Sequence, residues 1–156
     1  MKEHFLYPGT LYADKDPSAV TTILGSCVAV CFWDAILKIG GMNHYLLPLW
    51  NGEGLPTPKY GNIAISKLLE KMFSLGCNKR NLQAKVFGGA ALMASSSGLL
   101  NVGERNILIA EDVLSEEGIR IISSDVGGNQ GRKMIFQTDT GGVLMKKVVK
   151  TVLGTK

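Results

Sequence analysis

The most informative stretch of this chain runs from Thr21 to His44 and reads TTILGSCVAVCFWDAILKIGGMNH. Within it, Val28 to Trp33 is a continuous apolar run, which is typical of a strand buried on both faces. A second strand is predicted over Lys38 to Leu47, after a short break at Asp34 to Leu37. Two buried strands joined so closely predict an antiparallel hairpin.

The register of this hairpin decides whether two reactive side chains meet. A turn centred between Ala35 and Ile36 places Cys27 directly opposite His44, with both side chains on one face of the sheet. Directly opposed Cβ atoms are about 4.5–5.5 Å apart, so the thiol and the imidazole would lie within hydrogen-bonding reach. Because alternate residues point to opposite faces, a slip of one residue would separate them.

The residues next to Cys27 suit a nucleophile. Gly25 and Ser26 precede it, and glycine permits a tight backbone turn with close approach of a substrate carbonyl. Backbone N–H groups at this turn, including that of Cys27, would form an oxyanion hole for a tetrahedral intermediate. A free thiol has a pKa of roughly 8.5 and needs a nearby base at neutral pH. His44 is the candidate base, because the other histidine, His4, lies near the chain terminus.

Two other interpretations stay open on the residues alone. Free cysteines are usually packing residues, and this interpretation is kept for Cys31 and Cys77. A zinc site formed by Cys27, Cys31, His44 and Cys77 is the rival chemistry. The chain has no C-x-x-C pair, and a Cys-x-x-x-Cys spacing within one strand lacks the usual ligand loop, so zinc is disfavoured.

The composition indicates a single domain over residues 1–156. The chain is 46% hydrophobic and 19% charged, which suits one ordinary core. Its three cysteines fit a reducing compartment, and no segment has the pattern of a signal peptide or the length of a membrane span. We therefore expect a cytoplasmic protein that is not membrane-embedded. The net charge of +4 is spread over basic pairs, which argues against nucleic-acid binding.

Two helices and a series of strands complete the prediction. Apolar residues recur at helical spacing from Ile65 to Phe73, before Gly76, and from Ile107 to Leu114, before Gly118. Gly88 to Gly98 is predicted as a loop. The other predicted strands are Phe5 to Ala13, Val20 to Leu24, Gln83 to Phe87, Ile119 to Ser124, Arg132 to Thr138 and Val143 to Val149. Runs of strands with two helices between them predict an α+β layered sandwich with mainly antiparallel or mixed sheets.

Five segments, in order along the chain, carry a resemblance to a known family. They are Leu24–Val30, Gly40–Pro48, Lys85–Ala90, Gly103–Asn106 and Gly127–Lys133. Together they resemble the CheD family of chemoreceptor glutamine deamidases over nearly the whole chain. The resemblance implies hydrolysis of selected receptor glutamine side chains to glutamate through a Cys thioester, with release of ammonia. It implies a role in bacterial chemotaxis and adaptation. It also implies a three-layer α/β/β sandwich related to bacterial toxin deamidases.

The resemblance further implies a Cys–His–Thr active site. Position by position, the nucleophile falls on Cys27, the histidine on His44, and the threonine, six residues before the cysteine, on Thr21. Thr22 is a neighbour that could be confused with it. Backbone donors near Ser26 would hold the oxyanion, and no cofactor or metal is required.

The resemblance implies two kinds of partner. One is the cytoplasmic helical bundle of methyl-accepting chemotaxis receptors, and the other is the CheC phosphatase as a competing ligand. A non-catalytic adaptor that binds receptors or the CheC phosphatase is the main alternative function, and a small-molecule Cys amidase is a third. The segments Leu49 to Pro58 and Leu92 to Val102 match nothing diagnostic, so substrate or partner choice would differ there.

Overall fold

The computed structural model describes residues 1–92 and 101–148. A short 3₁₀ turn at Lys79–Asn81 precedes β6. The helices and strands, in chain order, are β1 Lys2–Phe5, β2 Leu11–Asp14, β3 Ser18–Leu24, β4 Val28–Asp34, β5 Ile39–Asn43, α1 Gly61–Ser74, β6 Leu82–Gly88, α2 Val102–Glu117, β7 Ile121–Val126, β8 Gly131–Gln137 and β9 Val143–Val148.

The strands form two stacked sheets, and both helices pack on one of them. The five-stranded sheet has the order β2-β5-β4-β6-β7, and the four-stranded sheet has the order β1-β3-β8-β9. The β1–β3 and β6–β7 pairs are parallel, and the other strand pairs are antiparallel. The predicted α/β/β sandwich with mixed sheets and two helices is confirmed. That residues 1–156 make up one domain stays a prediction.

Strand β4 is apolar from Val28 to Trp33 because each of its faces meets a different core. Val28, Val30 and Phe32 pack beneath the helices. Ala29 and Cys31 point the other way, into the core between the two sheets. Side chains alternate along a strand, so a strand in the middle layer needs apolar residues at every position.

Both helices end where the glycines predict. Gly76 has a φ of 99° just after α1. Gly118 is left-handed, with a φ of 72°, and caps α2. Helix α2 begins with a capping box, in which the side chains of Asn101 and Glu104 each accept a hydrogen bond from the backbone amide of the other residue. An acidic residue is favoured in the first turn of a helix.

Three predicted strands have the wrong bounds, and one of them, Ile119 to Ser124, lies two residues later as Ile121–Val126. Phe5 to Ala13 is not one strand, because the chain turns at Gly9, with a φ of 79°, and β1 and β2 join different sheets. Strand β5 stops at Asn43 rather than Leu47. There the Asn43 Oδ1 atom accepts the hydrogen bond of the Val30 amide at 2.9 Å, so a side chain replaces the backbone rung. The predicted loop over Gly88 to Gly98 begins at the end of β6, and its residues 93–98 lie outside the described part of the chain.

The turn between β4 and β5 is longer than predicted. Asp34 pairs with Ile39, so four residues form the turn instead of two. Asp34 Oδ1 accepts hydrogen bonds from the amides of Ile36 at 2.9 Å and Leu37 at 3.0 Å. Lys38 takes a left-handed φ of 57°, which closes the turn. This local network moves the hairpin register by two residues.

Candidate active site

The register shift makes Cys27 and His44 diagonal neighbours, so the predicted direct opposition is wrong. The β4–β5 ladder continues to a bridge between Val28 and Tyr45, and this register sets His44 across from Ala29. Diagonal neighbours across an antiparallel pair are about 7–8 Å apart, still within reach of longer side chains. Because the shift is by two residues and not one, both side chains stay on the face that points towards the second sheet.

Thr22 holds the buried imidazole of His44 in one orientation. The Thr22 hydroxyl donates its single hydrogen to the Leu6 carbonyl at 2.8 Å. The same oxygen lies 2.8 Å from His44 Nδ1, so it can only accept there, and Nδ1 must carry the proton. The lone pair is therefore on Nε2, which is buried and has no partner among the described residues. The geometry presents Nε2 as a base.

Thr21, the predicted orienting residue, does not make this contact. Val20, Thr22 and Leu24 are buried between the sheets, whereas Thr21 lies on the opposite face of β3. There it lines a depression on the outer surface. The predicted contact between the Thr21 side chain and the imidazole is wrong, because adjacent strand residues point to opposite faces. The alternation of β3 was the available signal, since it places Thr22 between the buried Val20 and Leu24 on the inward face.

Burial keeps both reactive groups neutral at pH 7. Burial raises the pKa of the half-buried Cys27 thiol above its ordinary value. It lowers the pKa of His44 to about 4, because removing water penalises the charged form of each group. The resting site therefore holds a thiol and a neutral imidazole rather than a preformed thiolate–imidazolium pair.

The backbone before Cys27 is fixed by its carbonyl groups. The Gly25 carbonyl accepts from the Ala90 amide at 3.0 Å, and the Ser26 carbonyl accepts from Asn106 Nδ2 at 3.0 Å. In a trans peptide each N–H points away from the preceding C=O, so the amides of Ser26 and Cys27 face away from these two donors. Neither amide meets an acceptor within residues 1–92 and 101–148. Two adjacent donors are thus available beside the thiol.

The zinc alternative does not fit the fold. Cys77 packs in the core beneath the helices, and Cys31 packs between the sheets, so the two thiols lie on opposite faces of the five-stranded sheet. No group of three or more His, Cys, Asp or Glu side chains among the described residues is arranged to hold a metal. Burial also raises the pKa of Cys77, to about 11, and that of Cys31 further.

Neither of the two described helices combines the length and apolar character that crossing a bilayer would need.

Comparison with known proteins identifies the family. The family model described as CheD chemotactic sensory transduction matches residues 46–147. The chain belongs to the CheD family. A Trichlorobacter lovleyi protein named probable chemoreceptor glutamine deamidase CheD is 52% identical over 145 residues, covering 93% of this chain and 90% of that protein. A Sulfurimonas denitrificans protein with the same name is 50% identical over 152 residues, covering 96% of this chain and 97% of its own.

More distant relatives carry the same description. A Rhodospirillum rubrum protein, also named probable chemoreceptor glutamine deamidase CheD, is 40% identical over 152 residues. The match covers 97% of this chain and 86% of the Rhodospirillum rubrum protein. Among solved structures, the Bacillus licheniformis hypothetical protein YfiH matches 70% of this chain and 50% of its own, with 14% identity and a TM-score of 0.45. That likeness is too weak to inform the CheD site.

Proposed function

We propose that this CheD chain is a protein-glutamine deamidase, with Cys27 as nucleophile, His44 as base and Thr22 as the residue that orients the base. One observation carries the proposal. The Thr22–His44 hydrogen bond at 2.8 Å leaves Nε2 unprotonated on the face of the sheet that also bears Cys27. The names of the relatives support the reaction class, since they describe chemoreceptor glutamine deamidases.

The reaction starts from the neutral pair. Cys27 Sγ bonds to the side-chain carbonyl carbon of a substrate glutamine while the thiol proton passes to Nε2 of His44. Thr22 accepts a hydrogen bond from Nδ1 of the imidazolium that forms. The amides of Ser26 and Cys27 donate to the oxyanion of the tetrahedral intermediate. The thiol needs no prior ionisation in this sequence.

Three further proton transfers complete the cycle. The intermediate collapses with cleavage of the carbon–nitrogen bond, and His44 gives its Nε2 proton to the departing ammonia, leaving a thioester on Cys27. Water then attacks the thioester while His44 takes a proton from it. Collapse breaks the carbon–sulfur bond and releases glutamate, and His44 returns its proton to the leaving Cys27 sulfur. A neutral Thr22 hydroxyl stabilises the imidazolium less than a carboxylate would.

The proposed substrate is the cytoplasmic helical bundle of methyl-accepting chemotaxis receptors, and the proposed place of action is therefore the cytoplasm. The family resemblance adds the CheC phosphatase as a second proposed partner. A competing ligand of this kind would lower the deamidation rate of a receptor fragment in a concentration-dependent way. A CheC preparation that binds the chain without slowing deamidation would contradict competition for a shared surface.

Mass spectrometry of a receptor cytoplasmic fragment tests the proposed function. The fragment is incubated with the native chain, with Cys27→Ala and with Cys31→Ala as the matched cysteine control. We expect an amide-to-acid mass gain at defined glutamines with the native chain and with Cys31→Ala, and none with Cys27→Ala. No gain with the native chain on its cognate receptor would favour the adaptor alternative.

A further inference from the structure

We propose that Asn106 is a positioning residue of the deamidase site, because its side-chain amide clasps the nucleophile segment to the base segment. This inference rests on the proposed function. Asn106 lies on α2 and contacts neither reacting group. It acts on them through the backbone on either side of the site.

One nitrogen atom makes both contacts. Asn106 Nδ2 donates to the Ser26 carbonyl and to the Leu46 carbonyl, each at 3.0 Å. Ser26 directly precedes Cys27, and Leu46 follows His44 by two residues. Both amide hydrogens are therefore used, one on each segment. A flipped amide would set Oδ1 against two carbonyl oxygens, so the hydrogen-bond network fixes the orientation of the side chain.

The clasp lies where the β4–β5 ladder ends. Val28 and Tyr45 form the last backbone rung. Beyond it the Leu46 amide turns away and donates to the Lys59 carbonyl at 2.9 Å, so no backbone rung holds Leu46 to the segment before Cys27. Asn106 supplies the missing cross-connection. Without it, no hydrogen bond among the described residues would join Leu46 to the Ser26–Cys27 peptide beyond that rung.

Helix α2 approaches this point unusually closely. A Cβ atom on Gly103 would lie 2.5 Å from the Ala90 carbonyl oxygen and 2.6 Å from that of Gly89, so the helix rests directly on this backbone. The Gly89 amide in turn donates to the Cys27 carbonyl at 2.9 Å. The small residue thus brings Asn106 within reach of the site.

The burial of the Asn106 side-chain amide indicates that its role at this position is to make hydrogen bonds. Asn106 is fully buried, and its Oδ1 atom has no partner in the described part of the chain. A buried polar atom without a partner is unfavourable, and an apolar residue would avoid that cost. Other buried positions of α2, such as Ala110 and Leu114, carry residues that only pack.

Asn106→Asp tests the clasp with almost no change of shape. The ionised carboxylate has no hydrogens to donate and faces two carbonyl oxygens. Tyr45→Phe is the matched control, because it removes the hydrogen bond from the Tyr45 hydroxyl to the backbone carbonyl of Asn106 at 2.5 Å and leaves both side-chain hydrogen bonds of Asn106 in place. For receptor deamidation we expect kcat to fall about 100-fold in Asn106→Asp, as for a catalytic group misplaced by roughly 1 Å, with KM unchanged. Tyr45→Phe should keep most of the native kcat.

Two kinetic results would overturn the inference that Asn106 is a positioning residue. One is a kcat in Asn106→Asp within a few-fold of the native value. The other is an increase in KM at unchanged kcat, which would make Asn106 a binding residue. If thermal melting shows that Asn106→Asp is unfolded at the assay temperature, Asn106→Ser replaces it. That variant retains one donor, and the same loss of kcat without a change in KM is expected to be smaller.

Alkylation of Cys27 provides a readout that needs no receptor. The rate of iodoacetamide modification at Cys27, followed by peptide mapping from pH 5 to 9, is compared in the native chain, His44→Ala and Asn106→Asp. We expect the native thiol to react faster than in His44→Ala near neutral pH, and Asn106→Asp to fall to the His44→Ala profile. A native profile in Asn106→Asp would overturn the clasp. If the native chain does not deamidate the receptor but still shows the faster alkylation of Cys27 than the two variants, only the proposed function is refuted.

Discussion

Replacing Thr22 with valine should damage the site, whereas the same replacement at Thr21 should not. Valine has nearly the shape of threonine but lacks the hydroxyl. At position 22 the change leaves two buried polar groups without partners, the Leu6 carbonyl and His44 Nδ1–H. At position 21 it alters a side chain on the outer face of the same strand.

The expected magnitudes follow from these lost hydrogen bonds. Each buried polar group left without a partner costs about 1–3 kcal/mol. We therefore expect Thr22→Val to lower the free energy of unfolding by about 2–4 kcal/mol, since the added methyl group offsets part of the cost. A hydrogen bond to a charged group contributes about 1.5–3 kcal/mol. Loss of that bond to the imidazolium corresponds to a fall in kcat of about 10–100-fold.

Urea unfolding and receptor deamidation measure the two effects. Thr21→Val should change the unfolding free energy by no more than about 0.5 kcal/mol, as is usual for surface positions, and should leave kcat unaltered. Thr22→Ser keeps the hydroxyl and should retain most of the activity. Nitrogen NMR of the imidazole reports the tautomer directly, and we expect the proton on Nδ1 in the native chain.

The opposite pattern would refute the reasoning. If Thr21→Val lost activity while Thr22→Val kept both activity and stability, the functional threonine would be Thr21, as the family resemblance implies. The observed Thr22–His44 contact would then have no catalytic role. An NMR spectrum with the proton on Nε2 would equally contradict His44 as the base in the resting state.

Three further predictions concern the reacting groups. Cys27→Ala and His44→Ala should each abolish deamidation while leaving the circular dichroism spectrum native, and full activity in both would require another nucleophile. The His44 pKa of about 4 lies below the unfolded value of about 6.5, so the unfolded chain binds more protons between these values and stability is lost as pH falls through that window. By pH 5 the loss should be about 2 kcal/mol in urea unfolding, and His44→Gln should lack this part of the pH dependence. The acid limb of kcat/KM should be centred near pH 4 in the native chain, and a limb near pH 6.5 would show that the imidazole is not desolvated.

Much of the layered fold is visible in the sequence because it depends on local periodicity. The apolar run of β4 predicts a strand with two buried faces, and the structure gives each face its own core. The helical periods before Gly76 and Gly118 predict α1 and α2, whose ends depend on residues close in the chain. Cys27 and His44 are likewise identifiable, since a Gly-Ser turn before a cysteine and the scarcity of histidine are both features of the sequence.

Contacts between distant residues decided the details of the site. The hairpin register depends on a four-residue turn held by Asp34 and Lys38, and periodicity alone does not specify the length of a turn. The choice between Thr21 and Thr22 depends on which face of β3 meets the second sheet. Asn106 becomes part of the site only because α2 packs against the ends of two strands that are far away in sequence. The sequence therefore determined the layers and the candidate reactive residues, while tertiary packing determined which side chains contact them, since face and register are set by contacts that local periodicity does not encode.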